Sequence, residues 1–324
     1  MEKDQVLLND WHVIAHAQEL KPGAVLPKRL LGEDIVVWHD GTSIHAWQDY
    51  CPHRGAKLSL GWVNNNTLIC PYHGLVFNTE GKCIKVPGTP ETTAPIRLCI
   101  KTYQVKERYS LVWVCLGTPQ HDIPDLPEWD DADYSKFVCN PQWFKTSSLR
   151  VIENFFDPAH IPFVHSGTFS NSNLPEVELG EAIEHSDKLI FKFGLWELDI
   201  ETGKSELSKT FSNYEFYIFR PLLAYYKRGN PEVNMTSLFA VTPVSEQECI
   251  AWSVTAFKGV HNVTNEQWCS TEAKIMSEDR TIIESQRPSH LPLDLQAEVN
   301  LPTDRYSMLY RKWLKKQGVT FGCI

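Results

Sequence analysis

"CPHRGAKLSLGWVNNNTLICPYHG", residues 51–74, sets Cys51 and His53 one residue apart and Cys70 and His73 two apart, with sixteen residues between the pairs. Two cysteines and two histidines can hold one zinc ion tetrahedrally, but a finger-type zinc site groups both cysteines before both histidines. Here the residue types alternate, and a proline follows each cysteine. Short runs rich in Val, Ile, Trp and Tyr flank the stretch, among them "DIVVWHDGTSIHAW" and "YSLVWVCLG", and they read as strands separated by Gly, Pro and Asp. The "DG" at 40–41 and the "EG" at 80–81 are hairpin-turn candidates. The first part of the chain is therefore β, with the Cys and His motif on loops between strands.

A [2Fe–2S] centre of the Rieske type gives one iron two thiolates and the other two imidazoles, so each of two loops supplies one of each. The alternation meets that need, and Cys51, His53, Cys70 and His73 become its candidate ligands. Gly55 and Gly74 let the chain turn beside the sulfurs, while Pro52 and Pro71 stiffen the loops. Arg54 and Tyr72 are either hydrogen-bond donors near the cluster or rim residues.

A chain of 324 residues with 42% hydrophobic residues can bury a large core, and its nine cysteines are too few and odd in number for a disulfide scaffold. Cys83, Cys99, Cys115, Cys139, Cys249, Cys269 and Cys323 show no spacing signature and read as packed thiols. The net charge of −9 and scattered basic residues speak against nucleic acid. No stretch reaches the length of a membrane-spanning helix, and "MEKDQVLLND" lacks the basic and apolar blocks of a signal peptide, so the expected location is cytoplasmic.

The segment "GTPQHDIPDLPEWDDADY" (117–134), with three prolines and six carboxylates, places a domain boundary so that 1–130 and 131–324 separate. Beyond it, "LIFKFGLWELDI", "SNYEFYIFRPLLAYYK", "VNMTSLFAVTPV" and "CIAWSVTAFKG" read as strands with helices before and after, an α+β arrangement. Thr303 is the expected N-cap of a last helix, with Tyr306, Leu309, Tyr310, Trp313 and Leu314 on one stripe and Gly318 as its stop.

In "ENFFDPAHIPFVH" (153–165), Asn154, Asp157 and His160 recur every three residues and can share a helical face, with Asp157–Pro158 resembling a helix start. A bend at Pro162 would return His165 to His160, two imidazoles suited to non-haem Fe(II). A carboxylate must complete the triad. In "NEQWCSTEAKIMSEDRTIIESQRP" (265–288), Asp279 and Glu272 both fall on apolar helical faces, so periodicity leaves two candidates.

With Cys51, His53, Cys70 and His73 followed by Asn154, Asp157, His160 and His165, the chain resembles the oxygenase component of the Rieske non-haem iron oxygenases over nearly its whole length. The resemblance implies an N-terminal all-β Rieske [2Fe–2S] domain and a C-terminal α+β catalytic domain of helix-grip type, with an antiparallel sheet and helices. It chooses Asp279, with Glu284 five residues later, over Glu272 as the third iron ligand. It further implies a homotrimer in which Asp157, with Asn154 beside it in the catalytic set, bridges from His160 to His73 of the partner subunit. One departure is Leu75, where the family commonly has Trp. "WQDYCPHRG", "ERYSLVWVCLG", "PEWDD" and "DRYSMLYRKWLKKQGVTFG" look similar to the saxitoxin-tailoring Rieske hydroxylases, which act on a guanidinium alkaloid.

The expected function is a monooxygenase that hydroxylates a C–H bond of a small molecule with O2. Its electrons come from a separate NAD(P)H-dependent reductase or ferredoxin, since the chain has no G-x-G and no second set of cluster cysteines. Oxidative O- or N-demethylation is the alternative within enzymes, and a pure Rieske electron carrier the alternative outside them. The strands within 188–258 should wall the substrate pocket, where Tyr214, Trp252 and Phe257 are either lining or core.

Overall fold

Runs such as "DIVVWH" and "LVWVC" have no polar face, so each must be covered on both sides. The computed structural model, which describes residues 4–198, 209–229, 233–259 and 263–324, does this in the first of two compact units, residues 7–122. Its six-stranded antiparallel sheet takes β1 (His12–His16), β2 (Val25–Leu30), β3 (Glu33–His39), β4 (Ile44–Gln48), β9 (Thr102–Arg108) and β10 (Leu111–Cys115) in the order β1-β10-β9-β4-β3-β2. A second sheet joins the short strands β5 (Trp62–Asn64), β6 (Thr67–Ile69), β7 (Val76–Phe77) and β8 (Cys83–Lys85).

The period-2 alternation of β3 divides the core between its two faces. Ile35 and Val37 pack with Ile14, Ala46, Val112 and Val114 on one side. Val36 and Trp38 pack on the other with Trp47, Leu58, Leu68, Leu75, Phe77 and the two motif cysteines. Leu75, the departure noted from sequence, is itself buried in this cluster. Both expected hairpins form. Asp40 Oδ1 accepts from the backbone of Thr42 and Ser43 between β3 and β4, and Gly81 takes φ +77° between β7 and β8.

The second unit comprises residues 4–6 and 123–324. The boundary segment is less inert than its composition suggests, because Ile123 and Leu126 are buried and Glu128 accepts from Tyr225 and Lys227 at 2.7 Å each. Residues 123–130 therefore belong to the second unit and not the first. Its antiparallel sheet runs β11 (Ser135–Val138), β18 (Glu248–Gly259), β17 (Val233–Ser245), β16 (Leu223–Gly229), β15 (Lys209–Arg220), β14 (Leu189–Leu198) and β13 (Val177–Glu184), with β12 (Gln142–Phe144) also on β18. Residues 199–208 and 230–232, including the last two of the stretch quoted from 189, lie outside the described residues.

Six helices are described, α1 (Gln5–Leu8), α2 (Pro127–Asp130), α3 (Ser148–Phe155), α4 (Ile161–Val164), α5 (Asn265–Ile283) and α6 (Arg305–Gln317), and none is long and apolar enough to cross a membrane. The stripe of α6 is core packing: Tyr306, Tyr310, Trp313 and Leu314 are buried, and Gly318 stops the helix at φ +85°. Its N-cap is Asp304 and not Thr303, because a 3-10 turn over Pro302–Asp304 leads into it. Arg311 on α6 makes a two-pronged bond to buried Glu153 on α3 at 2.6 and 2.7 Å, and Glu298 pairs with both Arg150 and Arg311 at 2.7 Å. Breaking a buried pair of this kind costs about 3–5 kcal/mol, so the network fixes the helix that leads into the histidine segment.

Two of the expected free thiols are not free. Cys139, just past β11, and Cys269 on α5 are joined by a disulfide across 130 residues of sequence. Only the docking of α5 against β11 brings them together, which is why spacing alone misses the pair.

Candidate metal centres

In the first unit the two motif loops repeat one geometry. Cys51 N–H donates to Ala56 O and Cys70 N–H to Leu75 O, at 2.8 and 2.9 Å. Gly55 N–H returns to Cys51 O and Gly74 N–H to Cys70 O, at 2.8 and 3.0 Å. That closure needs left-handed backbone at Gly55 and Gly74, with φ of +73° and +68°. At Gly55 a Cβ would also stand 2.9 Å from the Tyr50 ring.

The sulfurs of Cys51 and Cys70 sit in the apolar core, whereas His53 and His73 are exposed with their Nδ1 atoms 3.2 Å apart. Burial, reinforced by the neighbouring Cys70 sulfur, pushes the Cys51 thiol up to about 11. Thiolates in such a pocket need a bound metal to be stable. Two buried sulfurs and two exposed imidazole nitrogens match the divided ligand demand of a Rieske cluster. Arg54 and Tyr72 are both exposed, and the Tyr72 ring lies 3.8 Å from that of His73.

In the second unit the histidine segment is divided between two helices, and Asn154, Asp157 and His160 do not share one helical face. Ser147 caps α3, accepting from Leu149 N–H, and the helix ends at Phe155. Asp157 then turns the chain, its Oδ1 accepting from Ala159 N–H at 2.9 Å. The next helix begins at Ile161 with His160 as N-cap and His165 as C-cap. Pro162 occupies its first turn, where a missing N–H costs nothing, so it does not bend the chain. A four-residue helix between two histidines is what brings them together.

Thr264 and Gln267 form a capping box that starts α5, the helix carrying Asp279. Asp279 Oδ1 lies 3.4 Å from His160 Nε2 and 3.2 Å from His165 Nε2, and the three donor atoms fall within 4.8 Å of one another. Despite that crowding, Asp279 Oδ1 is buried without an aligned hydrogen bond. Two ligands about 2.1 Å from one ion at a right angle stand about 3 Å apart, so a metal between these atoms satisfies all three.

The surroundings prepare the donors. His165 Nδ1 lies 2.9 Å from Glu278 Oε2, and Thr168 donates to the other Glu278 oxygen at 2.6 Å. The carboxylate holds the ring proton on Nδ1 and leaves the Nε2 lone pair facing Asp279. Burial opposes charge on His160, but the carboxylates of Asp157, 3.4 Å from its Nδ1, and Asp279 outweigh it and raise the imidazole to about 9. Burial likewise disfavours ionised Asp279, yet the two histidines hold it well below the usual carboxylate range.

Glu272 lines the same cavity but stands outside the three-residue donor group. Burial pushes its carboxyl up to about 7 against a hydrogen bond from Ser253. The cavity, about 100 Å³, also takes in Asn154, Phe155, Tyr214, Phe216, Tyr226, Arg228 and Phe239. Tyr214 is thus a lining residue. Trp252, bonded to Thr242, and Phe257, packed on Phe137 and Trp268, are core. Sequence reading missed Glu278, whose only signal is its place beside Asp279, and the buried pair of Arg228 with Glu197, 2.9 Å apart.

Residues 10–104 match the family model of the Rieske [2Fe-2S] domain, and 144–190 with 200–318 match the vanillate O-demethylase oxygenase C-terminal domain. The chain is 29% identical to the methylxanthine N1-demethylase NdmA of Pseudomonas putida, over 97% of its own length and 92% of that protein. It is 31% identical to a probable methylxanthine N7-demethylase, NdmC, of Pseudomonas sp. (strain TJI-51), over 67% of its own length and 78% of that protein. The solved structure of NdmA with caffeine superposes with a TM-score of 0.82 at 26% identity, covering 96% of this chain and 91% of that one.

Proposed function

This chain belongs to the Rieske non-haem iron oxygenases, as a terminal oxygenase component, and we propose that its reaction is the oxidative removal of a methyl group from nitrogen or oxygen of a small heterocyclic or aromatic substrate. The observation that carries the reading is a donor group of two histidines and one aspartate opening on an aromatic-walled cavity, in a chain whose relatives include N- and O-demethylases. The order of the two enzymatic readings taken from sequence is thereby reversed. A pure electron carrier is set aside, because the second unit matches an oxygenase domain.

The family uses a Rieske cluster and a mononuclear iron. In our proposal Cys51, His53, Cys70 and His73 hold the cluster, and His160, His165 and Asp279 hold the iron. When bound, these groups supply single-electron relay and activation of O2. Glu278 orients His165, Asp157 faces the far nitrogen of His160, and the aromatic wall excludes water from the methyl group.

One oxygen atom of O2 enters the methyl C–H bond. The resulting hemiaminal or hemiacetal loses formaldehyde and leaves N–H or O–H. The second oxygen atom leaves as water, taking two electrons that a separate reductase delivers from NAD(P)H and two protons, one of them from solvent. A cytoplasmic ring of three subunits, with Asp157 bridging toward His73 of the partner subunit, completes the proposed relay. The exposed position of His73 accords with it.

Hydroxylation of a guanidinium alkaloid is the second reading. It draws on the likeness of sequence segments and on the carboxyl of Glu272 in the cavity. Product analysis decides between them. Reductase-coupled turnover of N-methylated and O-methylated heterocycles should release formaldehyde in proportion to NAD(P)H consumed. Oxygenated product without formaldehyde overturns the demethylase reading.

A further inference from the structure

Trp268, Glu272, Ile275, Met276, Asp279 and Ile283 form one stripe of α5 and line the cavity. Among them Glu272 is the one carboxyl outside the metal donor group. The facing wall is aromatic, with Phe155 stacked on Phe239 at 3.9 Å and 9°, and Phe216 and Tyr226 each 5.5 Å from Phe155. Arg228, the cation on that wall, is already committed to Glu197, to which Tyr214 also donates.

Glu272 makes no ion pair among the described residues, and the nearby hydroxyl of Ser253 favours its ionised form. Ser253 is held in turn by a ring of buried hydroxyls, 3.3 Å from Ser237 and 3.5 Å from Thr255, with Thr255 donating to Ser237 at 3.2 Å. The carboxyl thus lies beside a rigid wall of hydroxyls and keeps acceptor capacity within the cavity lining. A buried acceptor left unmatched is costly, so a ligand that supplies a hydrogen gains from it.

Resting on the oxygenase reading above, we propose that Glu272 is the substrate anchor: it accepts a hydrogen from a ring nitrogen of a planar N-heterocycle stacked against the Phe155–Phe239 wall. Glu272 and Asp279 are seven residues apart on one helix, about 10.5 Å along its axis. Anchor and iron site therefore stand about two helical turns apart on one face, and the anchored nitrogen fixes which carbon is oxidised. Glu272 is then a specificity residue and not a metal ligand. The required hydrogen can come from a neutral lactam or from a cyclic guanidinium.

The test uses holoenzyme with both metal centres loaded and binding measured calorimetrically under nitrogen. Theobromine and caffeine differ by one ring N–H replaced with N–CH3. The cyclic guanidine 2-aminobenzimidazole and its fully N-methylated counterpart make the second pair. In at least one pair the N–H member should bind about ten-fold tighter or more, and Glu272→Leu should abolish that preference with iron content unchanged. Glu272→Gln, which preserves shape, should retain a lactam preference and lose a guanidinium one. No preference in either pair, absence of binding included, or a preference that survives Glu272→Leu overturns the anchor. A Glu272-dependent preference without formaldehyde release keeps the anchor and sinks the demethylase reading.

Discussion

At the first centre all four candidate ligands lie within residues 51–73, on two loops that repeat one hydrogen-bond pattern, and the histidines face solvent. At the second the donors come from the two ends of a short helix and from α5, His165 and Glu278 stand 113 positions apart in sequence, and each histidine has a carboxylate beside its Nδ1. One centre is written locally and supported by the apolar core beneath it. The other is assembled by tertiary packing and held by carboxylates around its histidines.

The largest expected effect tests whether the two are separable. Cys70→Ser should remove the cluster, its colour and all reductase-driven turnover, while the mononuclear iron stays bound. Loss of both metals together, measured by iron content and EPR, would show that the sites are not independent.

The same contrast explains what the sequence disclosed. The alternation of Cys and His, the glycines closing each loop and the hairpin at Asp40–Gly41 are local features with fixed spacing, and all were legible. Asp279 could not be separated from Glu272 by periodicity, because both fall on the cavity face of α5. What distinguishes them is their neighbours in space, two imidazoles in one case and a serine hydroxyl in the other. The split of residues 153–165 into two helices went unread for a related reason. Asp157–Pro158 looks like a helix start, but Asp157 caps only a turn and the helix waits until Ile161. The Cys139–Cys269 link had no local signal at all.

If carboxylates position the second centre, Glu278→Gln should weaken iron binding about 10–100-fold, leave the cluster EPR signal unchanged and alter the ligand field of the ferrous site. An unchanged iron affinity and spectrum would reduce Glu278 to a helix-surface residue. A smaller effect concerns pH. In metal-free protein His160 is raised from 6.5 to about 9, so its contribution to stability is full below 6.5 and is lost as pH rises through about 9. Iron needs the neutral ring, so His160 alone should make affinity rise about ten-fold per pH unit below about 9 and level off above it. Titration of apoprotein with Fe(II) at several pH values under nitrogen measures the slope. A flat profile would mean that the proton is not displaced.

The most direct measurement is iron content with EPR on anaerobically prepared wild type, Asp279→Ala and Glu272→Ala. Wild type and Glu272→Ala should each carry about three irons per chain, two in the cluster and one mononuclear. Asp279→Ala should lose the mononuclear iron alone and keep the reduced Rieske signal. Full iron in Asp279→Ala, or loss of the third iron in Glu272→Ala, would contradict the assignment of the second centre.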